Sequence, residues 1–343
     1  MSKVYEKCEN CGGNYKFDPE KGVLLCENCS GQVPIENIPA PEKQFYTLES
    51  SPQHLGDNKF NYRCNNCGAP LNSTDIIDTK CPYCHSNSLT SVATSLTHKP
   101  DSIIPFAVSK DRAINIYKEW IRKKKFAPNN LKTKAALENM QGIYYPCWLY
   151  DYNTFSTYSG IGVNRETRRD SEGRTYTIER KFPVHGTESN TYYNQIEPAN
   201  DLIAKYSIEQ FEEYSYQPFN AYDPNYLMGF STLNYERDVH SCLASEQMQK
   251  NDAIEVGIKR SLGYDYYIGF KCETQYSNIR WSYSLLPIWS CNFKYKNKNY
   301  NFFVNGKTGN IKGKTPKSGW KIFALVAGIV LGVGAIAALI ALL

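Results

Sequence analysis

Eight cysteines in the first 84 residues form four Cys-x-x-Cys pairs. The pairs fall into two sets, with 14 residues between the two pairs of the first set and 13 in the second. Four thiolates are enough for a closed tetrahedral zinc site, which leaves no open position for a substrate. We therefore predict two structural Zn²⁺ sites. Their ligands are Cys8, Cys11, Cys26 and Cys29 in one site, and Cys64, Cys67, Cys81 and Cys84 in the other.

Tight turns between short strands must position these thiols. Two cysteines separated by two residues lie on one turn, and a following Gly12, Gly31 or Gly68 lets backbone N–H groups face the sulfurs. The layout is typical of zinc ribbons. The alternative chemistry is a thioredoxin-like redox pair, which requires a helix after the motif, and no such context follows here. The other four cysteines are scattered singly, which favours a packing role: Cys147, Cys242, Cys272 and Cys291.

The charge of the ribbons bears on what they contact. Residues 1–34 carry four lysines and five acids, and a four-thiolate zinc centre adds −2, so the first ribbon is about −3. The second ribbon is about −2 by the same count. Phosphate backbones require the opposite sign. The ribbons are therefore predicted to contact protein, and a nucleic-acid partner is not expected of them.

Composition places the ribbons on a larger folded chain. Of 343 residues, 41% are hydrophobic, 14% are aromatic and 27 are tyrosine, a bias that favours half-buried strands. We predict an α+β chain with a mostly antiparallel, aromatic-rich sheet domain, helices, and a C-terminal transmembrane helix. The predicted segments are ribbon 1 (1–33), a linker (34–59), ribbon 2 (60–90), a basic helical segment (91–141), the sheet domain (142–312), a basic juxtamembrane segment (313–321) and the transmembrane helix (322–343).

The basic helical segment is the best candidate for contact with an anion. Ser109 is a predicted N-cap, and nine basic residues against two acids give 110–134 a local charge of +7. Three interpretations stay open, namely a solvated helix face, contact with anionic lipid, and contact with nucleic acid. The candidate residues are Lys118, Arg122, Lys123, Lys124 and Lys125.

The last 22 residues contain no charge and predict a helix of roughly 33 Å, enough to cross a bilayer. Five lysines precede it, and without them the chain has 34 basic and 34 acidic residues. The positive-inside rule then predicts a single-pass cell-membrane protein with its N-terminal bulk in the cytoplasm. Gly328 and Gly332 predict close helix packing and a possible homo-oligomer. The predicted interface residues are Lys314, Lys317, Trp320 and Lys321.

Motifs for catalysis are not found in the sequence. The nearest approach to a phosphate-binding loop, from Gly309 to Thr315, is one residue short and follows a predicted Asn305-Gly306 hairpin turn. The five histidines are far apart and form no HExxH motif. We therefore expect no enzymatic activity.

The whole layout resembles the bacterial zinc-ribbon membrane proteins of Firmicutes that are labelled as TFIIB-type zinc-ribbon proteins, often mislabelled as primosomal replication helicase. The stretches that carry the resemblance are IIPF (103–106), KEWIRKKKFAP (118–128), GIYYPCW (142–148) and FFVNGKTGNIKGKTPKS (302–318). A helicase label would require motor domains that this chain lacks. The eight paired cysteines match the zinc ligands of such proteins.

The resemblance implies a membrane adaptor. Relatives of this kind are encoded beside SPFH-domain and phage-shock-protein-A-type proteins, so these are the protein partners it implies, in a phage-shock-like envelope-stress system. The expected function is a tail-anchored adaptor that faces the cytosol and contacts membrane lipid as well as protein. The alternative is a replication-associated nucleic-acid-binding protein without a motor, which would use the basic helix and bind in a strongly salt-dependent way.

Overall fold

The computed structural model describes residues 4–5, 7–47, 61–64, 70–71, 89–92, 98–128, 131, 140–200, 211–233, 235–295, 298–313 and 315–342. Some of these are described by their backbone alone, namely 61–64, 70–71, 89–92, 292–295, 298–301, 322, 335 and 337–342. Two small sheets and one large sheet are formed within these ranges.

The strands, numbered in chain order, are β1 (Tyr15–Asp18), β2 (Val23–Cys26), β3 (Gln32–Pro34), β4 (Gln44–Phe45), β5 (Asn61–Cys64), β6 (Pro70–Leu71), β7 (Leu89–Val92), β8 (Ser102–Ile103), β9 (Gln141–Arg169), β10 (Thr175–Pro198), β11 (Asn220–Ala221), β12 (Ser231–Thr232), β13 (Tyr266–Tyr295), β14 (Lys298–Asn305) and β15 (Ile311–Gly313). The α-helices are α1 (Lys110–Lys123), α2 (Val239–Leu262) and α3 (Gly319–Leu342). Two short 3₁₀ helices are Glu213–Tyr216 and Pro224–Leu227.

The large sheet has the order β10-β9-β13-β14-β15 along its main path, and every neighbouring pair on this path is antiparallel. Four short strands join it at the side: β4 and β8 pair with β13, β11 pairs with β8, and β12 pairs with β9. The chain is therefore α+β with a large, mostly antiparallel sheet. The two small sheets are β1-β2-β3 and β6-β5-β7.

Aromatic side chains fill the core of this sheet. The sequence contains two similar Pro-x-Trp stretches, at 145–148 and 286–289, which point weakly to a duplicated strand unit. They lie on neighbouring strands, where Leu285 is opposite Pro146 and Pro287 is opposite Tyr144. The ring of Trp148 is fully buried, and its Nε1 donates to Arg237 O at 2.9 Å. Trp289 is buried likewise, and its Nε1 donates to Val108 O at 2.8 Å. Each of these two indoles thus combines burial of a large ring with a satisfied N–H, as is usual for buried tryptophan.

The three longest strands extend beyond this core as an arm, defined as residues 153–169, 175–191 and 266–277. At 3.3–3.4 Å per residue, 17 residues of strand reach about 55 Å. Helix α2 packs on one face of the arm, where Ile254 and Ile258 are buried and Tyr276 Oη donates to Asn251 Oδ1 at 2.8 Å. The opposite face is exposed, so the arm is a long surface with a single covered side.

Two helix ends predicted from the sequence are confirmed, namely the start of α1 and the end of α2. Ser109 caps α1 by accepting a hydrogen bond from Arg112 N at 3.3 Å, and Gly263 ends α2 in the left-handed conformation with φ 71°. The sequence also predicts, from its apolar periodicity, a helix from about Asn234 to Leu262 that Gly263 ends, and the start of this predicted helix is wrong. Asp238 is its N-cap, because its carboxylate accepts from the N–H groups of His240 and Ser241 at 2.9 and 2.8 Å. A side chain that satisfies two orphan N–H groups fixes a helix start better than apolar periodicity does.

Replacing Asp238 with Ala is expected to destabilise the folded chain by about 1–2 kcal/mol at neutral pH. Burial raises the pKa of the Asp238 carboxyl, but the hydrogen bonds from Ser241 and His240 outweigh burial, and the pKa is lowered overall. A lowered pKa means that the carboxylate stabilises the fold above about pH 4 and that this stability is lost as the pH falls through the folded-state pKa. Urea denaturation of the two proteins at pH 7 and pH 3 should show the difference shrinking in acid. A difference that is constant with pH would show that the charge of Asp238 is not involved.

The predicted C-terminal transmembrane helix is not borne out. Among the residues that the structure describes, no helix is long and apolar enough to cross a membrane. The prediction of 322–343 as a membrane span is therefore corrected, and so is that of a single-pass cell-membrane protein.

Candidate metal centre

Two turns of the first ribbon carry the four cysteines of the first set, and they are built alike. Cys8 O accepts from Gly12 N at 2.8 Å, and Cys26 O accepts from Ser30 N at 3.0 Å. Gly12 and Ser30 both lie in the left-handed region, with φ 70° and 59°. This conformation is easy for Gly12 and unusual for Ser30, and the sequence had pointed instead to Gly31 at the second turn.

Gly31 is required for a different reason. A Cβ on this residue would lie 3.3 Å from Cys29 Sγ and 4.0 Å from Cys8 Sγ. Gly13, at the same place in the first turn, would bring a Cβ to 3.1 Å from Cys26 Sγ. Gly31 therefore leaves room for sulfurs of both turns and Gly13 for a sulfur of the opposite turn, so the two turns close around one point.

The four sulfur atoms form one cluster, with all Sγ atoms within 4.8 Å of one another. Cys8 and Cys29 are 3.6 Å apart at their Sγ atoms, and Cys11 and Cys26 are 3.5 Å apart. In a tetrahedral site with Zn–S bonds of about 2.3 Å, the sulfurs are about 3.8 Å from each other. The residues thus fit a four-coordinate metal ion, and they could hold one.

Backbone N–H groups point at these sulfurs, as expected of a site for thiolates. Cys8 accepts from the N–H groups of Asn10 and Cys11, and Cys26 accepts from those of Asn28 and Cys29. The Tyr15 hydroxyl also donates to Cys8 and lowers the pKa of this thiol to about 6. Hydrogen bonds from the backbone of Cys29 lower the pKa of Cys26 as well.

The pKa of Cys11 moves the other way. It is raised to about 12, although the N–H of Gly13 acts in the opposite direction, because Cys26 and Cys29 lie beside it. Four neighbouring thiols cannot all ionise without a cation among them. The donor set is therefore the one that a thiolate-binding metal ion completes.

The ribbon is packed against the large sheet and is not a separate module. Phe17 of β1 is buried, with its ring 5.2 Å from that of Tyr226 and 6.4 Å from that of Phe230. Its backbone N–H donates to Met228 O at 2.9 Å, which ties β1 to the segment after the 3₁₀ helix 224–227. Leu24 of β2 is fully buried in the same cluster. The cysteine cluster is thereby held in a fixed position on the sheet domain.

The second predicted set lies outside the described residues. Only the backbone of Cys64 is described, at the end of β5, and Cys67, Cys81 and Cys84 are not described. The second zinc site therefore stays a prediction.

The other predicted site residues lie on or next to two helices, α1 and α3. Lys118 and Arg122 are on the exposed face of α1, and Lys123, Lys124 and Lys125 follow at its end, also exposed. Lys317, Trp320 and Lys321 lie in or just before the first turn of α3, and Lys314 is outside the described residues. Gly328 and Gly332 are in α3, with no heavy atom within 4 Å of where a Cβ would be.

Two residues of the metal centre were missed at the sequence level. Tyr15 was not singled out, although it lies four residues after a Cys-x-x-Cys pair and starts β1, where it is opposite Cys26 of the second pair. Phe17 was not singled out either. Its alternation with Lys16 and Asp18 predicts that its side chain is buried, but does not identify the residues that it contacts.

Comparison with known proteins adds one relative of limited similarity. The chain is similar to the uncharacterized protein YdjG of Bacillus subtilis (strain 168), with 26% identity over 330 residues, which cover 94% of this chain and 93% of that protein. No protein-family model matches the chain. No solved structure matches it.

Proposed function

We propose that this chain is a zinc-ribbon adaptor that brings protein partners together and has no catalytic activity. The observation that carries the proposal is the closed cluster of four sulfurs, fixed on the sheet domain through Phe17. A metal ion with four cysteine ligands has no open position for a substrate or a reactive water, so it acts as a structural support. Zinc is the ion proposed, because four thiolates in a tetrahedral arrangement favour it.

The same zinc chemistry is proposed for Cys64, Cys67, Cys81 and Cys84, which form two Cys-x-x-Cys pairs 13 residues apart, one residue fewer than in the first set. On this basis each chain carries two zinc ions. The ribbon at residues 60–90 then adds a second protein-contact module.

The arm supports a binding function over a catalytic one. Its face opposite α2 exposes Phe155, Ile161 and Ile268 in a setting of polar side chains. β10 forms its outer strand, and along 175–191 no strand of the described residues pairs with its free edge. Exposed rings among polar groups and a free strand edge are features by which proteins bind other proteins.

The proposed partners are SPFH-domain and phage-shock-protein-A-type proteins, which the resemblance of the sequence implies. The test is affinity purification of the full-length chain from nuclease-treated extracts, with mass spectrometry of the proteins that co-purify. We expect both partner classes to be enriched at least about tenfold over a tag-only control. Recovery should fall for the variant in which Cys8 and Cys11 are replaced by Ser, because the ribbon is part of the docking surface.

Replacement of Cys272 by Ser serves as the matched control, since this thiol lies in β13 and outside the sulfur cluster. The control should recover the same partners as the unmodified chain. Enrichment of replication proteins alone, and only when nucleic acid is restored, would instead establish the nucleic-acid-binding alternative and contradict the adaptor proposal.

A further inference from the structure

Basic residues from two distant parts of the chain meet where the end of α1 lies against the start of α3. Ser318 N donates to Phe126 O at 2.8 Å, and Lys321 Nζ donates to Ala127 O at 2.7 Å. These two hydrogen bonds join segments that are about 190 residues apart in sequence. We call the resulting surface the basic corner; it consists of Lys118, Arg122, Lys123, Lys124, Lys125, Lys317 and Lys321.

The charge of the part of the basic corner at 118–125 is not neutralised by ion pairs with the residues that the structure describes. Within 118–125 there are five cations and one acid, Glu119. All five cations are exposed, and none of them forms an ion pair with another residue that the structure describes. One internal contact of these cations is that of Lys124 Nζ, which lies 5.2 Å from the centroid of the Trp120 ring. Positive charge at the C-terminal end of a helix is stabilised by the helix dipole, so this cluster is tolerated without a partner.

Exposed apolar side chains begin at the same place. Trp320 is 74% exposed and Phe323 is 61% exposed, and their rings stack on each other at 5.6 Å. The next turn of α3 exposes Leu325 and Val326 in the same way. The basic corner is therefore bordered by rings and then by aliphatic side chains, which gain free energy only when they leave water.

This order of side chains distinguishes between anionic partners. A nucleic acid would pair with the cations, and its bases could stack on the rings, but aliphatic side chains gain little from it. A strand that ran along α1, about 21 Å long, would also meet the acidic ribbon, because Ser109 Oγ at the start of α1 donates to Glu20 Oε1 at 2.6 Å. An acidic protein surface would likewise leave the aliphatic side chains in water. An anionic lipid surface satisfies both kinds of group.

We propose that the basic corner binds an anionic lipid surface. The cations contact headgroup phosphates, while Trp320 and Phe323 lie at the boundary between headgroups and acyl chains, where amphipathic rings are favoured. The contact is made at the surface and requires no helix to cross it. It goes beyond the adaptor function and does not depend on the metal centre, so either proposal can fail without the other.

The test compares binding of the full-length chain to two kinds of vesicle, phosphatidylcholine alone and phosphatidylcholine with about one third phosphatidylglycerol. The ratio of the two partition coefficients isolates the effect of charge, because apolar contacts are common to both. Each basic residue at such a surface changes partitioning roughly fivefold at low ionic strength. A variant with Gln in place of Arg122, Lys123, Lys124 and Lys125 should therefore lower the ratio by about a hundredfold or more.

The matched control replaces four exposed basic residues elsewhere with Gln. These are Arg169, Lys181, Arg260 and Lys271. Arg260 lies in the last turn of α2, so the control also loses a charge from a helix end, as the corner variant does. The control should change the ratio by less than about threefold, and the thermal unfolding of both variants should stay cooperative.

A second readout reports where the rings lie. Trp320 is the most exposed tryptophan of the chain, so its fluorescence should be quenched by brominated lipids in anionic vesicles, and the quenching should disappear in a W320F variant. A corner variant with an unchanged ratio would overturn the proposal. So would tighter, salt-sensitive binding of a single-stranded oligonucleotide or of polyglutamate than of the anionic vesicles.

Discussion

Replacing Cys8 and Cys11 with Ser is expected to remove one zinc ion per chain and to unfold residues 7–34 while the large sheet stays folded. In small zinc modules the free energy of metal binding, about 10–16 kcal/mol, is the free energy that folds them. The first ribbon has little else to fold it, because its three strands have only four, four and three residues and Phe17 packs against the sheet domain. Two hydroxyls in place of two thiolates leave an incomplete site that does not retain zinc.

Zinc content by elemental analysis checks the first part of this result, and the expected change is from two ions per chain to one. Hydrogen exchange checks the second part: amides of β1 and β2 should lose protection, whereas those of the core half of β9 and β13 should keep it. The variant with Ser at Cys272 should keep both zinc ions and all protection. A Cys8/Cys11 variant that binds as much zinc as the unmodified chain would contradict the assignment of these ligands.

The metal centre could be predicted from the sequence because its geometry is local. A Cys-x-x-Cys pair places both sulfurs on one turn, and two such pairs joined by a hairpin meet without help from the rest of the chain. The helix ends at Ser109 and Gly263 were predictable for the same reason, since caps and left-handed glycines act within one turn. The exposed position of the cations of α1 followed from the apolar periodicity of this helix, which predicts its buried face.

Long-range contacts could not be predicted in this way. The hydrogen bonds from Ser318 and Lys321 to the end of α1 form the basic corner, and no pattern in either segment refers to the other. The duplicated Pro-x-Trp stretches hinted at a repeated unit, yet their role is to lie side by side on β9 and β13. The packing of the ribbon on the sheet domain could not be predicted either, because nothing in the sequence around Phe17 indicates that its ring contacts that of Tyr226.

The apolar C-terminal stretch shows a limit of predictions that use composition alone. The 22 uncharged residues predict a span from hydropathy, which counts residues and ignores how they are placed. The observations that bear on the role of α3 are the exposed rings of Trp320 and Phe323 at its start and the adjacent Lys321, which donates to Ala127 O. Placement beside the cations, and not length, carries the inference about a lipid surface.

Replacing Phe17 with Ala is expected to separate the ribbon from the sheet domain without loss of zinc. Phe17 is 2% exposed and contacts rings of the sheet domain, and truncation of a buried Phe typically costs about 3–5 kcal/mol. Because the four ligands lie outside this contact, zinc content should stay at the level of the unmodified chain, while hydrogen exchange in residues 7–34 rises and the urea midpoint falls.

Phe155, 46% exposed on the arm, is the matched control, and its replacement with Ala should change stability by less than about 0.5 kcal/mol. Equal effects of the two substitutions would mean that the ribbon does not depend on Phe17 for its position, and the fixed cluster that carries the adaptor proposal would lose its support.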